Sequence, residues 1–215
     1  GRYAYHIDDN RARLAYYKSA FSRDPQSSAL GAKAVNAAIS SGSAKQAKAL
    51  ALKVQEIDAS EPLSRLVLSA LDMQKGNYAP AAARLTEQPS DPAAGVMMAM
   101  MEAWALYGND QTDAAINLFD SIEVGGYFDV IATLQKAKIY GQLGENNKAE
   151  ASFSVVETTG VSRISMAMAR ANFHLQSGDS DGALKALSEF DETVLGGVES
   201  GPVHTLLGQL KAGSA

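Results

Sequence analysis

Short polar turns recur along the chain at a nearly constant interval. Gly42, Gly76, Gly108, Gly144 and Gly178 each follow an apolar stretch, and each is followed by a few polar residues and then an alanine. Their spacings are 34, 32, 36 and 34 residues, and one step of 34 back from Gly42 reaches Asp8 in another polar turn. A glycine ends a helix by taking the left-handed conformation at its C-terminus. Ser43, Asn77, Asp110, Asn146 and Ser180 then stand where an N-cap would open the next helix. Each period therefore reads as helix A, a tight turn, helix B and a looser turn. The looser turns fall at Asp24-Pro25, Glu61-Pro62, Pro89 to Pro92, Gly125-Gly126, Thr159-Gly160 and Gly196-Gly197. The resulting map places the tail of A1 at 2–7 and B1 at 10–23, then A2 27–41, B2 44–58, A3 62–75 and B3 78–87. A4 93–107, B4 111–121, A5 127–143, B5 146–157, A6 162–177, B6 180–190 and a last helix at 201–212 complete it.

Composition agrees with an all-α chain. Alanine, the best helix former, occurs 37 times in 215 residues, and the 6 prolines sit at turns or in a first helical turn. The formal net charge of -5 shows no basic footprint in the total, so nucleic acid is not an expected partner. The absence of cysteine excludes disulfides, thiol catalysis and cysteine-based metal sites. No apolar run reaches the roughly 20 residues of a membrane helix, so no direct membrane insertion is expected. Nucleotide-binding glycine loops and hydrolase nucleophile motifs are missing. The three histidines are scattered: His6 and His204 read as surface, His174 as packed or half-buried. The string GDSDG at 178–182 reads as a turn plus a cap rather than a calcium loop. Neither catalysis nor a cofactor is expected.

With the turn glycine numbered 15, the units resemble tetratricopeptide repeats, which place small residues at 8 and 20, aromatic residues at 11 and 24 and proline at 32. Ala137, Tyr140, Ala149 and Phe153 match in repeat 5, and Ala171, Ala183 and Leu187 in repeat 6. Tyr78, Ala81 and Leu85 serve repeat 3, and Tyr17, Ala20 and Pro25 serve repeat 1. In repeat 4 Trp104 falls at position 11, but the B-helix alanine arrives late. Position 7, usually leucine, is Lys136 in repeat 5 and Arg170 in repeat 6. Either their stems pack and their tips reach water, or they form a basic pair for an acidic partner. In the stripe VMMAMMEAW (96–104), Met97, Met100, Met101 and Trp104 fall on one helical face and read as core, with Met98 pointing away.

The resemblance, to tetratricopeptide arrays of the long bacterial type, implies an all-α right-handed superhelix of about six hairpins, a single solenoid domain over 1–215. It also implies a concave groove lined by the A helices. Position 5 then supplies an apolar row, Leu66, Met98, Leu134 and Met168, beside a mostly polar row at position 9, Asn36, Glu102, Lys138 and Asn172. Such a surface suits a peptide or protein segment; the competing reading is that curvature buries position 5 between neighbouring A helices. The family's clamp for chaperone tails is absent, since Ala32, Val67, Gly95 and Ala99 occupy positions that would need lysine, asparagine or arginine. The expected function is a non-catalytic protein-interaction scaffold. The alternative is a regulatory or targeting domain of a longer protein, which the abrupt start at Gly1 favours. A homo-oligomer stays open, and the resemblance alone leans toward the periplasm or cell envelope.

Overall fold

The computed structural model describes residues 9–87, 89, 91–122, 127–157, 163–176, 178–194, 205–206 and 208–210. His6, His204, helix A1 and the turns at 125–126, 159–160 and 196–197 lie outside them. Of the last expected helix, the described residues 205–206 and 208–210 are helical. The described elements are α1 (Asn10–Arg23), α2 (Ser28–Ser40), α3 (Ala44–Ile57), α4 (Pro62–Met73), α5 (Tyr78–Leu85) and α6 (Pro92–Gly108). They continue as α7 (Thr112–Asp120), α8 (Tyr127–Gln142), α9 (Asn146–Glu157), α10 (Arg163–Gln176) and α11 (Ser180–Val194). No strand occurs among the described residues, and consecutive helices pack as hairpins, α2 on α3, α4 on α5, α8 on α9 and α10 on α11. The chain forms two compact units, residues 1–118 and 119–215.

The turns correct the spacing read from glycines. The left-handed residues are Gly42, Gly76, Asp110, Gly144 and Gly178, with φ of 73°, 79°, 60°, 74° and 77°. In repeat 4 the turn residue is thus Asp110 rather than Gly108, and the interval becomes 34 residues throughout. The hydrogen bonds repeat with the same period. The N–H groups of Ser43, Asn77, Gln111, Glu145 and Asp179 donate to the carbonyls of Ala38, Asp72, Leu106, Tyr140 and His174 at 2.8–3.0 Å. This is the six-to-one bond that satisfies a helix C-terminus. Those same five residues precede α3, α5, α7, α9 and α11, so the expected caps at Asp110, Asn146 and Ser180 each lie one residue off. Gly108 is helical, and a Cβ there would lie 2.5 Å from the Tyr78 ring. It is a glycine of close approach, not of a turn.

With Asp110 at position 15, repeat 4 conforms to the others. Ala103 takes position 8, Ala115 position 20 and Phe119 position 24, and all are buried. Ala81, Leu85, Ala137, Ala149, Phe153, Ala171, Ala183 and Leu187 are buried as the repeat pattern requires. In the first unit, Phe21, Val35, Leu50 and Val54 centre one core cluster and Leu66, Leu85 and Met98 another. In the second unit, Phe153 and Phe173 meet with ring centroids 5.6 Å apart, and Leu187 centres a separate cluster that Leu206 and Leu210 cover.

The A helices open with side-chain caps. Asp91 accepts from Ala94 N–H at 3.2 Å, and Glu61 accepts from Leu63 and Ser64 N–H. Pro62 and Pro92 stand at the first helical positions, where a missing N–H costs little.

Candidate functional site: the A-helix faces and their cavities

The two-residue shift in repeat 4 rotates α6 relative to the reading from sequence. Met98 is fully buried, and Met97, expected in the core, is 55% exposed. Met100, Met101 and Trp104 are half-buried, and Trp104 meets Tyr107 edge-on at 5.9 Å. The buried face of α6 is instead Gly95, Val96, Met98, Ala99, Ala103 and Ala105. Leu66 and Leu134 are also buried, and Met168 is half-buried. Most of the expected apolar row therefore lies between helices rather than on an open face. The polar row is exposed at Asn36, Lys138 and Asn172 and half-buried at Glu102.

In the first unit an apolar cavity of about 450 Å³ opens between the end of α2, the start of α3, and helices α4 and α6. Ile39, Leu63, Leu66, Val67, Met97 and Met101 line it together with glycine, alanine and Leu71, and no polar side chain contributes. Ile39 is 46% exposed beside Met97. Of the residues expected from sequence, only Leu66 reaches this cavity. The rest of the lining was missed, because it follows from the α6 register and from the end of α2. Asn36 lines a neighbouring cavity of about 410 Å³ with Arg13, Tyr17 and Lys33, and this cavity shares Leu63 with the apolar one.

In the second unit Lys138, Met168 and Asn172 come together. They line a cavity of about 400 Å³ between α8 and α10 with Gln142, Phe173 and Gln176. Three amides and an ammonium surround a floor of Met168 and Phe173, so hydrogen-bonding groups stand over an apolar base.

The remaining charges are largely spent inside the chain. Lys136 pairs with Asp120, and Arg170 donates to Glu150 at 2.6 Å, so both position-7 cations have acidic partners within their own unit. His174 is half-buried as expected. Its Nδ1 lies 2.9 Å from Asp179 and its Nε2 3.0 Å from Glu150. The other oxygen of Asp179 accepts from Gly182 N–H at 2.8 Å, the cap expected of the GDSDG turn. That bond, with the nearby His174, holds the Asp179 carboxyl below its ordinary range against a small desolvation. Arg65, 3% exposed, donates to the carbonyls of Arg84 and Glu87 at 2.7 and 2.8 Å, just past the end of α5. Burial pushes the Glu102 carboxyl above its ordinary value, and the charge of Arg65 opposes that rise. Among the described residues no group of three or more metal-ligating side chains gathers, and no helix is long and apolar enough to cross a membrane.

No protein-family model and no curated protein matches the chain. Solved structures do. A tetratricopeptide repeat protein from Parabacteroides merdae superposes with a TM-score of 0.68 at 15% identity, over 97% of this chain and 80% of its own. Pseudomonas aeruginosa pilF gives 0.63 at 13% identity, over 90% and 88%. YrrB, described as a TPR protein with an unusual peptide-binding site, gives 0.54 at 15% identity, over 91% and 97%. At these identities the likeness shows the fold alone: the chain has a tetratricopeptide-like array of helical hairpins.

Proposed function

We propose that the chain is a non-catalytic scaffold that binds a peptide or protein segment through the cavities on its A-helix faces. The observation that carries this reading is the apolar cavity of the first unit, with Ile39 and Met97 exposed at its edge. A concave surface without polar lining is the usual form of a site for apolar side chains. The amide-rimmed cavity around Met168 supplies the complementary element, donors and acceptors for a backbone. YrrB, which shares the fold, is described as peptide-binding, in keeping with this use. Every histidine contact found is with a carboxylate that also caps a helix or neutralises an arginine, a structural pattern rather than a catalytic one.

The test is capture of partners from native extract with three proteins: wild type, Val67→Asp/Met97→Asp, and Lys138→Glu/Asn172→Ala. The expected outcome is loss of partners from one or both variants while circular dichroism shows them folded. Identical partner sets on all three would remove both cavities from consideration.

A further inference from the structure

The net charge of -5 conceals a division. Residues 10–57, which make up α1 to α3, carry eight Lys and Arg against two Asp and Glu, a net +6; residues 58–215 carry ten against twenty, a net -10. The structure shows how differently the two sets are used. Beyond residue 57, Arg65, Arg84, Lys136, Lys148 and Arg170 face carboxylates of the chain. In α1 to α3, Arg11, Lys18, Arg23, Lys33, Lys45, Lys48 and Lys53 are exposed, and among the described residues none has a carboxylate within ion-pair distance.

These free cations surround the apolar cavity. On one side it shares Leu63 with the cavity that Lys33 lines. On the other, the segment 41–47 separates it from a cleft of about 660 Å³. Gly42, Ala44 and Ala47 face the apolar cavity, while Ser41, Ser43 and Gln46 face the cleft with Arg11 and Lys18. Lys45 and Lys48 are exposed on the same first turns of α3, Lys48 one helical turn from Ala44. No carboxylate lines any of the three cavities.

We infer that the first unit binds an acidic amphipathic segment of a partner protein, with apolar side chains in the Leu66–Met97 cavity and carboxylates toward Lys33, Lys45 and Lys48. The inference rests on the groove reading above and adds the chemistry of the partner. Unpaired lysines around a desolvating apolar floor attract carboxylates and reject a cationic segment, which sets specificity and association rate more than final affinity. Nucleic acid would answer the lysines, but it has no apolar side chains for a cavity of about 450 Å³.

The test uses two synthetic peptides of equal length, identical at their apolar positions, one with Glu and one with Lys at the remaining sites. Binding to the full chain is read by fluorescence anisotropy. The acidic peptide is expected to bind at least about tenfold more tightly at low salt, with the gap closing as salt screens the lysines. Lys33→Glu/Lys48→Glu, two exposed positions without partners, should reverse the preference, and Met97→Asp should weaken both peptides. Equal binding of the two peptides, both lost in Met97→Asp, overturns the charge inference and leaves the groove reading standing. If neither peptide binds, both readings fall. A duplex oligonucleotide that binds more tightly than the acidic peptide and displaces it overturns the inference in favour of nucleic acid. Sedimentation showing concentration-dependent self-association that excludes the peptide assigns the cations to the acidic part of a second copy, and overturns it as well.

Discussion

Asp110 is the residue on which the register of repeat 4 turns. It holds φ at 60°, a conformation that costs ordinary L-residues about 1–2 kcal/mol and aspartate somewhat less. Asp110→Gly should therefore stabilise the protein by roughly 0.5–1 kcal/mol in chemical denaturation. Gly108→Ala should cost about 1–3 kcal/mol, because the new methyl would press on the Tyr78 ring. If Gly108 were the turn residue, the two results would exchange places. The same two-residue correction separates neighbouring methionines. Met98→Ala should cost about 2–5 kcal/mol, whereas Met97→Ala should change stability by under ~0.5 kcal/mol. Glu102 gives a pH signature. Its folded-state carboxyl is raised by burial, so the folded protein holds that proton more tightly than the unfolded chain. The stabilising contribution of the protonated form is complete below the ordinary glutamate range and is lost as pH rises through the raised value. Glu102→Gln should raise the melting temperature at neutral pH, and the gain should vanish below about pH 4.

The helices themselves were largely legible in the sequence. B1 and B5 match their expected spans, and the other described boundaries fall within a few residues, because proline, cap and glycine signals act locally. What could not be read was the rotation of α6. Two glycine roles, turn and close approach, look identical in sequence, and only the Tyr78 ring distinguishes them. The groove residues inherit that error, since a two-residue slip moves a side chain by more than half a turn around a helix. The partners of Lys136 and Arg170 were equally hidden, as Asp120 and Glu150 lie 16 and 20 residues away on the preceding B helices. Arg65 was not singled out at all. Its guanidinium satisfies the carbonyls of Arg84 and Glu87, where α5 gives way to the looser turn. Arg65→Ala leaves those acceptors without their donor and should cost about 2–4 kcal/mol, read as a fall in the denaturation midpoint.

Across the chain as a whole, composition located the fold class and obscured the charge. A sum of -5 is the residue of +6 and -10, and only a count by element separates them. Metal plays no part in this account of stability, so EDTA should leave the melting curve unchanged; a marked shift would point to a ligand set outside the described residues. The unbroken interval of 34 residues between left-handed turns has a further consequence, for how such a chain can change length. Removing residues 77–110 would join Gly76 to Gln111, a left-handed turn residue to the residue that follows one in the next unit. The helix before the cut and the helix after it would each keep its own termination and start. Removing two residues fewer or two more would leave a turn without its carbonyl acceptor, or a helix facing outward. Growth and shrinkage of this array by copying or excision are therefore quantised, with one hairpin as the smallest step that leaves every remaining backbone bond in place.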